Sequence, residues 1–244
     1  MLKKTEPLAI PEAYCSVKTP KGELALDIEQ AQISATIAAV AERRKLPERA
    51  VVIAYATALQ ESKLLNLAYG DRDSVGVFQQ RESQGWGKRK QLLDPVYASN
   101  RFFAALVKVK NYRKIPLADA AQAVQRSAGG YAYAQHEEDA KLLASTFTGR
   151  VPKSLHCWYP PPKASTPAPQ AKTAEARRQL ARALGDPAIS TRKRGWLVAA
   201  WSVAHAQKYG LKHVGFNGAT WTNDMREDGW QSGGKASDSQ VDIS

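Results

Sequence analysis

The apolar residues in the first half of the chain recur at helical spacing. The first apolar stripe consists of Ile33, Ile37, Val40 and Ala41. Its i, i+4, i+7, i+8 spacing predicts a helix that begins near residue 28. Pro47 suits the first turn of a second helix, which runs to about Ser62 and is apolar around most of its circumference. A helix of this kind is normally buried, so we expect it at the centre of a domain.

Helical spacing stops between residues 63 and 90. This stretch contains four glycines and a short apolar core at Val75, Val77 and Phe78, which predicts turns and a small β element. Asp94-Pro95 then has the residue types of a helix N-cap and first turn. Further apolar stripes predict helices around 102–109, 117–124 and 140–147. Residues 28–158 are therefore predicted to form a mainly α domain with a small β element.

The remaining segments differ in composition from this domain. Residues 1–27 contain three prolines and are predicted to be irregular. The proline-rich stretch 152–169 predicts an extended spacer, with the linker itself at 159–172. Residues 173–244 are predicted to form a small C-terminal α+β module with two helices, a hairpin at Asn217-Gly218 and a third strand at 241–243.

The charge of the chain favours an anionic partner. The 244 residues include 35 Lys and Arg against 23 Asp and Glu, which gives a net charge of +12. Such a charge attracts nucleic acid, anionic lipid or an anionic cell wall. The cations are scattered and no nucleic-acid motif accompanies them, so we expect no nucleic-acid partner. No apolar run approaches the ~18–20 residues of a membrane span, and none is predicted.

Two cysteines, Cys15 and Cys157, lie 142 positions apart. This separation excludes a close-spaced zinc motif, and the four histidines are scattered, so we expect neither a metal site nor a cofactor. We expect a disulfide between these two cysteines, with two separate buried thiols as the alternative. A disulfide implies an oxidising compartment. The disulfide therefore leads us to expect an extracytoplasmic protein, secreted or in the cell wall. Because no apolar signal region follows Met1, its signal or anchor is then expected to be absent from this sequence; a cytosolic protein is the alternative.

Glu61 lies where the second predicted helix changes from apolar to polar. A carboxyl group beside an apolar wall and at the negative end of a helix dipole resists ionisation. Such a group can protonate a glycosidic oxygen as that oxygen leaves. The alternative is an ordinary ion pair between Glu61 and a cation such as Lys63.

Three short motifs follow one another around this glutamate. They are Glu61-Ser62, Gly76-Val77-Phe78-Gln79 and Asp94-Pro95. Their order resembles the lysozyme-like soluble lytic transglycosylase superfamily, and also goose-type lysozymes, over about residues 28–150. The resemblance implies a small helical domain with a sugar groove. It also implies that Glu61 is the general acid, and later the base, that cuts the bond between N-acetylmuramic acid and N-acetylglucosamine in bacterial peptidoglycan.

One motif departs from the family pattern. Many lytic transglycosylases carry Tyr-Asn-Ala-Gly near the catalytic acid, whereas this chain has Arg-Ser-Ala-Gly at 126–129. Tyr131 and Tyr133 are the candidates to replace the missing tyrosine. The departure leaves open a transglycosylase, a hydrolase, or a non-catalytic scaffold that binds peptidoglycan or an envelope protein.

Several polar residues near Glu61 are candidates for further roles. Asp73 and Asp71 follow within 12 positions and could supply the second carboxylate of a glycosidase, or could simply cap a turn. Gln79 and Gln80 alternate on the β element, so one of them can face a groove, and we expect Gln79 to bind an N-acetyl sugar. Ser62 is a further substrate-binding candidate from the resemblance.

The aromatic residues are candidates for stacking on sugar rings. Trp86 and Tyr131 lie in the predicted catalytic domain, where core packing is the alternative. The C-terminal module holds four of the six tryptophans, at positions 196, 201, 221 and 230. The first two are predicted to build its core, and Trp221 and Trp230 to be partly exposed. The module loosely resembles C-terminal modules of secreted actinobacterial wall proteins and either binds the wall or a partner, or packs on the first domain.

Overall fold

Two buried helices form the centre of the molecule. The computed structural model describes residues 12–125, 130–161, 170–224 and 229–244, and about 48% of it is helix and 15% strand, an α+β protein. Helix α1 (Ile28–Arg43) begins with a capping box in which the Gln30 side chain accepts a hydrogen bond from the Asp27 amide at 2.8 Å. Helix α2 (Glu48–Ser62) is buried from Ala50 to Ala58 on every face. The predicted burial of this helix is confirmed.

Four shorter helices surround this pair. They are α3 (Arg89–Leu92), α4 (Pro95–Leu106), α5 (Leu117–Gln125) and α6 (Glu137–Phe147). Helix α4 begins as predicted, because Asp94 accepts a hydrogen bond from the Val96 amide and Pro95 occupies the first turn. Helices α5 and α6 pack on α2, and a 3-10 helix (Gly130–His136) lies against its C-terminal part. None of the described helices is long and apolar enough to cross a bilayer.

The small β element is a two-stranded hairpin. Strand β3 (Ser74–Val75) pairs antiparallel with β4 (Gln80–Arg81), and a 3-10 turn (Glu82–Gln84) follows. The connecting turn 76–79 passes close to α3. A Cβ atom at Gly76, which has a φ of +79°, would lie 2.4 Å from the Leu92 carbonyl oxygen. Only glycine satisfies both the backbone angle and this close approach.

A second sheet lies where an irregular segment was expected. Strand β1 (Tyr14–Thr19) pairs with β2 (Gly22–Leu26) on one side and with β5 (Leu155–Trp158) on the other. The prediction that residues 1–27 are irregular is therefore wrong over these two strands. Pro20 does not interrupt either strand, because it lies in the turn between them. The expected extended spacer is wrong for the four residues of β5, which are fully buried. Both strands are short and form only through pairing across the chain, which local composition does not reveal.

The two cysteines lie opposite each other in this sheet. Cys15 and Cys157 are register partners in the β1–β5 pair, and their sulfur atoms are bonded. Both residues are fully buried. The disulfide, one of the two alternatives from the sequence, ties the N-terminal strand to the strand that follows α6.

The C-terminal half consists of three helices and a four-stranded sheet. The helices are α7 (Thr173–Leu184), α8 (Arg192–Ala204) and α9 (Ala206–Tyr209). The antiparallel sheet has the order β8-β7-β6-β9, from β6 (His213–Phe216), β7 (Ala219–Thr222), β8 (Trp230–Ser232) and β9 (Asp242–Ile243). Asn217 and Gly218 both have positive φ angles between β6 and β7, which confirms the predicted hairpin.

This half packs directly on the first. Helices α7 and α8 lie against α1, and α8 also contacts α6 and β5, so one continuous apolar core runs through both halves. Helix α8 is buried from Gly195 to Ala204. Arg194 reaches back to form an ion pair with Glu42 of α1 at 3.0 Å, and Arg182 of α7 pairs with Asp94.

Two tryptophans fasten the C-terminal sheet to β5. The Trp221 indole donates a hydrogen bond to Nδ1 of His156 at 2.9 Å, and the Trp230 indole donates to the Leu155 carbonyl at 2.8 Å. Trp221 is fully buried, so the expectation of partial exposure is wrong for it, whereas Trp230 is half-buried. The Trp221 ring is buried because it packs beside His156 of β5, a strand that belongs to the other half of the chain.

Replacing both cysteines should destabilise the fold without changing it. The disulfide closes a loop of 142 residues. The chain-entropy model gives such a loop up to about 5 kcal/mol. We therefore expect Cys15→Ala/Cys157→Ala to lower the free energy of unfolding in urea by up to that amount. Reductant should lower the stability of the wild type and leave the double variant unaffected, and an unchanged urea midpoint in the variant would contradict the assignment.

The shared core predicts that both halves unfold together. Because α8 is buried against α1 and α6, neither half keeps its apolar surface covered alone. Differential scanning calorimetry of the intact chain should show one transition whose calorimetric and van't Hoff enthalpies agree. Two resolved transitions would mean that the halves are independent units.

Candidate active site

Glu61 is presented by the last turn of α2. The helix ends because Lys63 and Leu64 adopt left-handed backbone angles, with φ of 56° and 60°. The Leu64 amide then donates to the Ala58 carbonyl, six residues back, and the Leu64 side chain is fully buried. Glu61 is half-buried beside this fixed end. Its position is therefore set by a helix that has no exposed face along which to shift.

The Tyr133 hydroxyl donates a hydrogen bond to Oε1 of Glu61 at 2.7 Å. The Tyr133 side chain is 2% exposed and comes from the 3-10 helix packed against α2. A bond this short between a hydroxyl and a carboxylate is among the stronger hydrogen bonds in proteins. It fixes the orientation of the Glu61 carboxyl group.

No ion pair accounts for Glu61 within the described chain. Its neighbour Lys63 is exposed, and the ion pairs of the described residues do not include Glu61. Among the described residues, Glu61 therefore forms no salt bridge, the alternative considered from the sequence.

Ser62 connects the end of α2 to the 76–79 turn. Its hydroxyl donates to the Val77 carbonyl at 2.7 Å and also contacts the Ala58 carbonyl at 3.1 Å. The residue is 4% exposed. On the other side of the turn, the Gln125 side chain of α5 donates to the Phe78 carbonyl at 2.8 Å. Ser62 thus lies behind the surface, where it holds the turn in place beside Glu61.

Gln79 and Gln80 lie on different sides of the hairpin. Gln80 is 2% exposed, and its amide donates to the Ala98 carbonyl of α4 at 3.3 Å. Gln79 is half-buried, and its amide nitrogen donates to the Gly76 carbonyl at 3.1 Å. Of the two side chains, Gln79 is the one that reaches solvent, on the segment that Ser62 ties to Glu61.

Asp73 is bound to the hairpin on both of its carboxylate oxygens. Oδ2 accepts from the Ser83 amide at 2.8 Å, and Oδ1 accepts from Arg81 Nε at 2.7 Å and from the Ser83 hydroxyl at 2.9 Å. The backbone hydrogen bond from Ser83, followed by the bond from Arg81, lowers the pKa of Asp73 well below its usual value. Asp73 is therefore ionised and braces the hairpin. Asp71, by contrast, is 89% exposed and lies 3.8 Å from Arg72.

Of the two aromatic candidates, Trp86 and Tyr131, the structure describes the side chain of Trp86 alone. Trp86 is half-buried and lines a surface cavity together with residues of α4 and α5. The Tyr131 side chain lies outside the described residues, as does the 126–129 segment in which the chain departs from the family motif.

A further set of contacts was not anticipated from the sequence. Gln60, next to Glu61, accepts a hydrogen bond from Gln135 at 3.1 Å, and its Oε1 lies 3.0 Å from Nε2 of His136. Burial lowers the pKa of His136, which favours the neutral form of its ring. These contacts fasten the 3-10 helix that carries Tyr133 to the end of α2. The residues are 75 and 76 positions apart, and no motif in the sequence joins them.

The assembled site can donate and accept a proton at one carboxyl group. Glu61 is half-exposed and oriented by a buried hydroxyl, while the hairpin beside it carries the Gln79 amide. Among the described residues, no cluster of three or more His, Cys, Asp or Glu side chains could hold a metal ion. No protein-family model matches this chain, and no curated protein matches it.

Proposed function

We propose that this protein cleaves the glycan strand of peptidoglycan at the β-1,4 bond between N-acetylmuramic acid and N-acetylglucosamine, with Glu61 as general acid and then base. The observation that carries the proposal is the 2.7 Å hydrogen bond from buried Tyr133 to Glu61. It supplies a tyrosine at the candidate acid, the feature of the family motif that the 126–129 segment lacks.

The spatial arrangement of the three motifs supports the same function. Ser62 is bonded to the 76–79 turn. Gly76 approaches the Leu92 carbonyl so closely that a side chain could not fit. The Asn66 amide donates to the Leu93 carbonyl at 2.8 Å, directly before the Asp94-Pro95 helix start. Three motifs that resembled the family by chance would not be expected to contact one another, whereas three motifs of one active site would.

In the proposed reaction, the proton on Glu61 passes to the glycosidic oxygen as the bond to C1 of the muramic acid breaks. The resulting carboxylate then takes the proton of the nucleophile that attacks C1. Three of the four lone-pair sites of Asp73 are already used by Arg81 and Ser83, so Asp73 is poorly placed to hold a water molecule. We therefore assign the nucleophile to the C6 hydroxyl of the same sugar, which gives a 1,6-anhydro product.

The proposed location is outside the cytoplasm, on the anionic cell wall. The buried Cys15–Cys157 disulfide is of a kind that persists in oxidising compartments. The net charge of +12 would hold the protein on a polyanionic wall, and salt would weaken this attraction.

Glu61→Gln should abolish cleavage. Loss of the general acid is expected to reduce the release of soluble fragments from purified sacculi by at least about 100-fold. Glu23→Gln is the matched control, because it makes the same change of charge at an exposed position in β2. Chromatography of the wild-type products separates anhydro ends, which we expect, from the reducing ends of a hydrolase. If wild type and Glu61→Gln bind sacculi equally and neither releases fragments, the non-catalytic scaffold is the correct function.

Tyr133→Phe should impair turnover while keeping the fold. The variant retains the buried ring and removes only the donor to Glu61, so we expect kcat to fall about 10- to 100-fold with KM unchanged. Tyr55→Phe removes an equally buried hydroxyl, which bonds the Ser34 carbonyl at 2.8 Å and not Glu61, and should leave kcat unchanged. Equal kcat values for the two variants would show that the Tyr133 hydroxyl has no part in the reaction.

A further inference from the structure

A surface cavity of about 350 Å³ lies next to the β3–β4 hairpin. It is enclosed by the loop after the hairpin, by α4 with the residues that follow it, and by α5. The side chains that matter are Trp86, Arg101, Ala105, Lys108, Val109 and Val124. Its volume is within the range of pockets that bind small ligands. Glu61 does not line it, so it is separate from the position where the bond would be cut.

Two of these side chains are held in place. The Arg101 guanidinium donates to the Trp86 carbonyl at 2.9 Å and to the Gly85 carbonyl at 3.0 Å. These bonds use two of its five N–H donors and hold the charged group at the cavity wall. The Trp86 ring packs against the protein core. Both groups are therefore positioned before any ligand arrives.

The charge of the cavity is positive and uncompensated. Arg101 and Lys108 both line it, the described lining includes no carboxylate, and neither forms an ion pair with a described acidic residue. Further exposed cations follow directly on the loop after α4, at Lys110, Arg113 and Lys114. Gln84, Gly85 and Trp86 line one side of the cavity, and apart from the two cations the rest of the wall consists of small apolar side chains of α4, α5 and the residues after α4. A ligand that fits them combines small apolar groups with carboxylates.

The cavity is connected to the candidate active site through the 76–79 turn. The Phe78 ring stacks on Phe102 at a centroid distance of 4.4 Å, and Phe102 follows Arg101 on α4. The Phe78 carbonyl accepts from Gln125, the residue after Val124 of the cavity. The preceding residue of the turn, Val77, is bonded to Ser62. The 76–79 turn is therefore bonded both to a residue next to the cavity and to the end of α2 that carries Glu61.

We propose that this cavity binds the carboxylate-bearing stem peptide attached to the muramic acid, an inference that rests on the proposed function. The methyl groups of a stem peptide match the apolar walls formed by Ala105, Val109 and Val124. Its carboxylates match Arg101 and Lys108. The enzyme would therefore prefer glycan that still carries stem peptides over glycan from which they have been removed.

The test compares initial cleavage rates on two preparations from one batch of sacculi, first freed of phosphate polymers with acid. One preparation keeps its stem peptides, and an amidase has removed them from the other. We expect the wild type to cleave the first about fivefold faster, the effect of one accessible ion pair or slightly more. Arg101→Gln/Lys108→Gln should bring the ratio of rates to about one. Lys108→Gln alone, which removes an exposed side chain and leaves the bonds of Arg101 intact, should lower the ratio about twofold.

Lys110→Gln/Arg113→Gln is the matched control. It removes the same charge from the same surface, outside the cavity, and should keep the wild-type ratio. Equal wild-type rates on both preparations would overturn the inference. An equal fall of the ratio in both double variants would also overturn it, since general charge would then be the cause.

A binding measurement separates this inference from the proposed function. Calorimetry with the Glu61→Gln protein compares a soluble disaccharide-peptide with the disaccharide alone. If the wild type cleaves neither preparation, the proposed function fails, and binding still decides the inference. Tighter binding of the disaccharide-peptide that is lost with Arg101→Gln/Lys108→Gln would support the stem-peptide site, and equal binding of both probes would overturn it.

Discussion

Burial of α2 on every face is the constraint on which the candidate site depends. From Ala50 to Ala58 the helix contacts other elements all round, with α1, α5 and α6 among them. A helix in such surroundings cannot rotate or slide without opening cavities in a close-packed core. Its last turn therefore delivers Glu61 to one place. The left-handed residues Lys63 and Leu64 end the helix directly beyond it, so the chain leaves without covering the carboxyl group.

The C-terminal half contributes to this constraint from the opposite side. Helices α7 and α8 cover α1, which packs on α2, and α8 also packs on α6, the helix that packs most extensively on α2. The tryptophans of this half are used in the packing, with Trp221 fully buried and the Trp230 indole bonded to β5. Because these indole rings are engaged in packing, the scattered cations are better suited than the rings to the proposed attachment to a wall polymer.

The sequence predicts those parts of the molecule whose signal is local. Apolar stripes locate the helices, Asp94-Pro95 and Asn217-Gly218 mark a helix start and a hairpin, and Glu61 stands out at an apolar-to-polar boundary. What the sequence misses forms between distant segments. Strands β1 and β5 pair across 142 positions. Trp221 is buried by a residue of the other half, and the Gln60 contacts join segments 75 residues apart. Tyr133 was one of two candidates, because spacing alone cannot say which of two nearby tyrosines faces the acid.

The partners of Glu61 and Asp73 explain why only one of these carboxyl groups suits proton transfer. Asp73 accepts hydrogen bonds from the Ser83 amide and from the charged Arg81 side chain, and both favour its ionised form and lower its pKa. Glu61 receives its bond from a neutral hydroxyl on Oε1. Oε1 can accept that bond in both states of the group, because the proton of the neutral acid can reside on Oε2. Glu61 can therefore lose and regain a proton without rearranging the contact that orients it, which is the requirement for an acid that later acts as a base.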